Sequence, residues 1–221
     1  MKLLQELYKK HAKKKLLEDI NTPNAPQQEE DIWDYGNVKQ EFNSKKTSLN
    51  QVASSFKAVD KLHGWKPGTV NLDIGGGREF TLANGDVIHK FTDALRQRQV
   101  RNVVYDPYNR TYEHNSAVAQ EIKKSGADTV TVNNVLNVIK EPEVRIRVIK
   151  QAYAALKTGP ENFAYFKFYE GDGSGEGRVT GVGEDKSWQT NMKASAYMHE
   201  IHMIFPDVRI RASDKLIIAH K

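Results

Sequence analysis

Residues 69–77 read Thr69-Val70-Asn71-Leu72-Asp73-Ile74-Gly75-Gly76-Gly77. The β-rich run Thr69–Ile74 predicts a strand, and three glycines close it. Glycines at the end of a strand let the backbone approach a ligand closely, and they expose N–H groups when a helix follows. A glycine triplet by itself is also an ordinary tight turn. Its place in the surrounding pattern favours a ligand loop.

The pattern on both sides is an alternation of strands and helices. Upstream, a Thr/Ser cap near Ser48 precedes Val52, Phe56, Val59 and Leu62, a helix that stops at Gly64 and Pro67. Downstream, a helix is expected over roughly 86–98, a strand over Val100–Tyr105, a helix over 114–125 and a third strand over Thr129–Val132. A helix over 142–157 carries Val144, Val148, Ala152 and Leu156 on one face and ends at Thr158-Gly159-Pro160. Phe163–Tyr169 reads as a fourth strand, with its alternating aromatics assigned to the sheet core. Residues 171–183 hold six glycines and read as a long mobile loop, a candidate lid. A helix over about 189–203 and a hairpin of Val208–Arg211 with Leu216–His220 complete the chain. Such alternation means an α/β domain with a largely parallel sheet covered on both faces.

In open parallel sheets, ligands sit at the carboxyl ends of the strands, near the topological switch point. Asp106 closes the second strand and is placed to accept the hydroxyls of a bound ribose. It lies 29 residues past Gly77, so 78–90 must contain an insertion or an irregular stretch. Asn133 and Asn134 close the third strand beside the glycine loop.

This combination resembles the class I S-adenosylmethionine (SAM)-dependent methyltransferases over about residues 69–221. Asp73 stands two positions before Gly75, as an acid precedes the glycine loop in that family, and an acid ends the second strand. The closing hairpin after a seven-strand order is also theirs. Three stretches are similar to the methyltransferases associated with DNA phosphorothioation and to related phage-encoded proteins. These are Tyr105-Asp106-Pro107-Tyr108-Asn109-Arg110, Asn133-Asn134-Val135-Leu136-Asn137-Val138-Ile139, and Tyr169-Glu170-Gly171-Asp172-Gly173 with Gly177-Arg178-Val179-Thr180. The resemblance implies a Rossmann-like methyltransferase sheet and SAM as cofactor. Gly75, Gly76 and Gly77 would approach it, Asp106 would hold the ribose, and Asp73 would orient the loop and the methionine ammonium. Asn133 would contact the donor, and Asn133, Asn134 and Glu170 are the candidate catalytic residues for orienting an amine or amide acceptor. Glu79 stands where a third glycine is common, and only 13 residues separate 114 from Asp128, little room for a further strand. The Asp106-Pro107-Tyr108 run is similar to the Asp-Pro-Pro-Tyr signature of amino-methylating DNA enzymes, but it ends the second strand rather than the fourth.

The composition narrows the rest. The chain has 221 residues, net charge +5 and no cysteine, which excludes disulfides, thiolate metal sites and thiol nucleophiles. Residues 1–17 carry six lysines against Glu6 alone, on an expected amphipathic helix over 2–20. Lys9, Lys10, Lys13 and Lys14 are the candidate contacts for DNA or RNA phosphates. The other reading is a solvated face on a helix that docks or makes an oligomer. Polar residues 21–46 read as an arm, whose Trp33, Tyr35 and Phe42 imply that it packs somewhere. The expected organisation is thus a basic helix plus arm over 1–46 and a methyltransferase-like domain over 47–221. No membrane segment, secretory leader or metal site is expected, since His199 and His202 with Glu200 lack a third strong ligand, and the expected location is cytoplasmic. A non-catalytic SAM- or nucleic-acid-binding module, or SAM chemistry such as cleavage, stands as the alternative function.

Overall fold

The computed structural model describes residues 31–35, 38–45, 51–183 and 186–221. Six strands of five residues each make the main sheet among the described residues: β1 (Val70–Ile74), β4 (Arg101–Tyr105), β5 (Thr129–Asn133), β6 (Phe163–Lys167), β9 (Asp207–Arg211) and β10 (Leu216–His220). Their spatial order is β4-β1-β5-β6-β10-β9. The first four are parallel, and β10 runs antiparallel to both β6 and β9. The fold is therefore α/β with a mostly parallel sheet, as the alternation implies.

Helices α1 (Ser55–Leu62), α2 (Lys90–Gln97), α3 (Tyr112–Ser125), α4 (Pro142–Ala155) and α5 (Met198–His202) flank it. Side-chain alternation along the strands splits the core in two. Leu72, Ile74, Tyr105, Val132 and Phe166 pack with α3, α4 and α5 on one face. Tyr165 and Leu216 pack with Val59, Phe91 and Leu95 of α1 and α2 on the other. Each such buried side chain contributes roughly 1.5–3 kcal/mol. Local signals set the ends: Thr111 caps α3 by accepting from His114 N–H, Gly126 closes it at φ +64°, and Pro142 opens α4.

Three local expectations change. The glycine triplet does not open a helix. A small antiparallel hairpin, β2 (Phe80–Thr81) with β3 (Val87–Ile88), intervenes, and α2 begins only at Lys90. This hairpin is the irregular stretch that the spacing to Asp106 required. Next, the glycine-rich loop is partly ordered: β7 (Gly177–Thr180) pairs with β8 (Ser187–Thr190). Trp188 lies so close over Gly177 that a Cβ there would meet its ring at 1.8 Å, so a bare backbone is what admits the indole. Finally, the helix expected over 189–203 shrinks to a 3-10 turn at Ala194–Tyr197 and α5, because β8 occupies its start. Helix α3 leads through Gly126 directly to β5, and the main sheet has six strands among the described residues rather than seven.

Residues Ile32–Lys221 form one compact unit. The described part of the arm belongs to it. Ile32 O accepts from Arg147 Nε (3.1 Å) and Gln151 Nε2 (2.7 Å), Trp33 O accepts from Tyr105 Oη (2.9 Å), and Trp33 packs edge-on against Tyr105. Phe42 stacks on Trp188, with Lys140 Nζ over both rings. Lys9, Lys10, Lys13 and Lys14, and with them the nucleic-acid and oligomer expectations for the first helix, lie outside the described residues. Among those described, no helix is long and apolar enough to cross a membrane.

Candidate functional site

Strand β1 lies between β4 and β5; the chain passes from β1 to β4 on one side and then returns across β1 to β5 on the other, so the switch point lies at the carboxyl end of β1. A cavity of about 590 Å³ opens there, within the range of small-molecule sites. Asp73, Gly75, Gly76, Gly77, Asp106, Asn133 and Asn134 all line it. Glu170 does not: its Oε1 accepts from Ala194 N–H at 2.7 Å, so the carboxylate holds the start of a 3-10 turn.

The glycine loop is shaped by close approach. Gly75 has φ +71° and donates its N–H to Tyr105 O at 2.7 Å, extending the β1–β4 ladder by one step. A Cβ on Gly76 would fall 2.3 Å from Asp73 Oδ2, so this carboxylate lies directly under the loop.

Beneath the loop, polar side chains occupy alternate positions of buried strands. Thr129 Oγ1 donates to Asn71 Oδ1, and Asn71 Nδ2 donates to both Asn102 Oδ1 (2.7 Å) and Thr131 Oγ1 (3.0 Å). Thr131 Oγ1 in turn donates to Asp73 Oδ1 (2.8 Å), which also accepts from Asn133 Nδ2 (3.2 Å). On the other branch, Asn102 Nδ2 donates to Thr92 Oγ1 (2.9 Å), leaving the Thr92 hydroxyl to donate to His89 Nδ1 (2.8 Å). His89 Nδ1 also accepts from Thr92 N–H as the cap of α2, and Nε2 donates to Gly76 O at 2.7 Å. Donors and acceptors along this chain fit only a neutral His89 protonated at Nε2, and burial lowers its pKa to match. Burial pushes the Asp73 carboxyl up to about 7, with the nearby Asp106 adding in the same direction and the Thr131 and Asn133 bonds opposing.

Asp106 sits where the sequence placed it, buried and facing the loop, but its carboxylate is already engaged. Oδ2 accepts from Gly77 N–H (2.8 Å) and Asn109 Nδ2 (3.2 Å), and Oδ1 accepts from the N–H groups of Tyr108 and Asn109 (both 2.9 Å). A carboxylate offers about four acceptor positions, and the chain uses all of them. Asp106 thus ties the glycine loop to the turn after β4. Arg110 adds a second tie: its Nε donates to Gly77 O, and its guanidinium pairs with Glu79 at 2.6 Å. The acid that replaces a third glycine is therefore neutralised on the spot.

The cavity's electrostatics are one-sided. Among its described lining residues there is no Lys or Arg, while Asp73 and Asp106 both line it. Asn109, Asn133, Asn134, Asn137 and Gln151 also line it, and the buried carbonyl oxygen of each lacks a hydrogen-bond partner. Four of these amides are fixed in orientation, because each nitrogen donates to an acceptor: Asp106 Oδ2, Asp73 Oδ1, Gln189 Oε1 and Ile32 O respectively for Asn109, Asn133, Asn137 and Gln151. Buried polar groups are nearly always partnered, so five unpartnered carbonyl oxygens around one cavity are unusual.

Sequence reasoning missed His89, Asn109, Asn137, Gln151 and the arm's Tyr35. For Gln151 a signal was present: Val144, Val148, Gln151 and Ala155 form one helical stripe, and an amide on an otherwise apolar stripe calls for a partner. Near the chain's end, Glu200 is committed to Arg145, with Oε1 2.6 Å from Nη2, and so does not join His199 and His202. Among the described residues, no group of three or more His, Asp or Glu could hold a metal. No protein-family model matches the chain, and no curated protein does.

Proposed function

We propose that this chain is a SAM-dependent methyltransferase of the class I type. The observation that carries the reading is the cavity's polarity at the β1 switch point: two carboxylates, five unpartnered carbonyl oxygens and, among the described lining residues, no Lys or Arg. A dinucleotide or nucleoside triphosphate needs cations or a helix N-terminus for its phosphates. Here α2 starts 13 residues after Gly77, capped by His89, so that device is missing from the loop. A ligand carrying a sulfonium, an ammonium, ribose hydroxyls and an adenine amino group brings mostly donors and positive charge, with a single carboxylate in place of a row of phosphates, and suits the cavity better. The sheet order with its reversed β10 supports the same reading.

SAM supplies an activated methyl, so the protein's task is to place donor and acceptor in line. Asp73 faces the donor's cationic end, assisted by the Asn133 carbonyl. Gly75 to Gly77 allow the close approach. A ribose at Asp106 takes the place of the 3.2 Å Asn109 Nδ2 bond, the longest of the four, and frees that amide to swing toward the ligand. Asn133 and Asn134 flank the methyl. Glu170 has no part in this reading, since Ala194 holds it.

Calorimetry with SAM and S-adenosylhomocysteine tests the proposal, with ATP as the phosphate-bearing control. Micromolar binding of the first two is expected, adding about 2.7 kcal/mol of stability at 100 times Kd. ATP binding of equal strength, or silence at millimolar S-adenosylhomocysteine, overturns it. Transfer from methyl-labelled SAM then separates an enzyme from a binding module.

A further inference from the structure

Part of the cavity is left over once the donor is placed. Asn137, from the 3-10 turn after β5, and Gln151, from α4, line the same cavity as Val138, Ile139 and Val148, and Tyr35 of the arm joins them. None of these six is needed by a ligand seated over the glycine loop and Asp106. We propose that they form a second compartment, which binds an uncharged amide or aromatic amine through its N–H group. This rests on the methyl-donor reading only for the role of the occupant as acceptor substrate; the compartment itself stands on its own residues.

The argument starts from the two amides. Asn137 is 1% exposed and Gln151 is 0% exposed, yet Oδ1 of the first and Oε1 of the second have no partner. Neither can be relieved by turning the amide over. Gln151 Nε2 donates to Ile32 O at 2.7 Å, and a flip would set two oxygens against each other. Asn137 Nδ2 faces Gln189 Oε1, and Gln189 is itself fixed by donating Nε2 to Thr190 O at 2.9 Å. Two buried acceptors are thus left without partners in the cavity wall, each by a bond made elsewhere, and a ligand donor meets them when the side chains in front of them give way. Only a donor satisfies them.

The walls then narrow the class. Val138, Ile139 and Val148 are buried aliphatics, and Tyr35 adds an aromatic face, so the body of the ligand is apolar and of ring size. A carboxylate or phosphate is disfavoured, because it would set anionic oxygens against two carbonyl oxygens with no Lys or Arg among the described lining residues. An ammonium fits poorly as well, since neither of the cavity's carboxylates belongs to this group of six and a bare charge among aliphatics is costly. An amide or aromatic amine carries N–H donors without charge. It answers both demands.

Titration calorimetry on the full chain tests this with benzamide, aniline, benzoate and phenyl phosphate, in the presence and absence of saturating S-adenosylhomocysteine. Benzamide and aniline are expected to bind at least tenfold more tightly than benzoate or phenyl phosphate. Asn137→Leu is expected to weaken benzamide at least tenfold. If Asn137→Leu fails to fold by its urea midpoint, Asn137→Ala, which withdraws the acceptor without adding bulk, is read instead. Equal binding of benzoate, an unchanged benzamide affinity in the Leu or Ala variant, or no benzamide binding at millimolar concentration overturns the inference. If S-adenosylhomocysteine binds while benzamide does not, the compartment falls and the donor reading stands. Selective benzamide binding without S-adenosylhomocysteine binding supports the compartment and removes the donor.

Discussion

Replacing Asp106 by Asn separates two roles for this residue with one atom. In the structure Oδ1 accepts from Tyr108 and Asn109 N–H groups, and Oδ2 accepts from Gly77 N–H and Asn109 Nδ2. The Asn side chain keeps a carbonyl oxygen for the first pair and points an NH2 at the second. Gly77 N–H then loses its acceptor in a buried setting, and two donors face one another. An unsatisfied buried donor costs roughly 1–3 kcal/mol, and the lost charge weakens the bonds that remain. With Asn109 Nδ2 free to turn away, a total of about 3 kcal/mol is expected. For a domain of this size that lowers Tm by about 6–12 °C. Urea unfolding of parent and variant measures it, with S-adenosylhomocysteine titration on the same samples. A variant within about 0.5 kcal/mol of the parent that loses ligand binding a hundredfold would refute the reasoning, for Asp106 would then be a free ligand acceptor and not a clamp.

Two further perturbations read the same loop. Gly76→Ala puts a methyl 2.3 Å from Asp73 Oδ2 and 2.9 Å from Val104 Cγ1, and Thr131 and Asn133 hold the carboxylate in place, so about 2 kcal/mol of stability is expected to go. Gly85→Ala, with nothing within 4 Å but a φ of +87°, is the milder control in the same thermal melts. The Asp73 carboxyl titrates near 7 in the fold against 3.8 as a free side chain. The folded state therefore holds this proton longer: its contribution is full below about pH 4 and is lost as pH rises through 7, by up to about 1.4 kcal/mol per unit between. Asp73→Asn should flatten that part of the stability–pH curve, and an unchanged slope would mean that Asp73 is ionised throughout.

The parts of the fold that were legible in the sequence are those in which local pattern and tertiary partner agree. Val70–Ile74, Arg101–Tyr105, Thr129–Asn133 and Phe163–Lys167 are short β-rich runs bounded by turn residues, and each became a parallel strand. Where the deciding contact is distant, the reading failed. Six glycines between 171 and 183 look like free loop, but Gly177 is bare because Trp188 covers it, and that pairing is what makes β7 and β8. The helix expected over about 86–98 is present from Lys90, but that the irregular stretch before it is a hairpin was not legible, since nothing local says that Phe80 will pair with Ile88. For the site, residue placement was legible and bonding was not. Asp73, Asp106, Asn133 and Asn134 reached the cavity, but the saturation of Asp106 depends on Asn109 and on the Gly77 N–H group 29 residues away. Glu170 was lost to Ala194 in the same way, by a backbone donor that sequence spacing does not reveal.

The unpartnered oxygens connect stability to ligand choice. A buried acceptor left open costs roughly 1–3 kcal/mol, so five in one cavity cost on the order of several kcal/mol against a total stability of about 5–15 kcal/mol for a domain. Apolar residues of similar size at Asn137 or Gln151 would avoid much of that cost, because Val138, Ile139 and Val148 already supply an apolar wall. Fixed amides here make sense where something recovers the energy when it binds. The gain is largest for a ligand that satisfies several oxygens at once, and an anion recovers none of it. On the proposed reading, ligand affinity and discrimination against phosphates share one source, the orientation of three amides by Asp73, Gln189 and Ile32. Two of those partners lie in the cavity wall, while the third is a backbone carbonyl of the arm. Removing residues up to 46 takes away Ile32 and leaves Gln151 free to turn. On that reading the arm takes part in recognition, and a chain that starts at residue 47 is expected to lose discrimination between amide and carboxylate ligands even if its sheet survives.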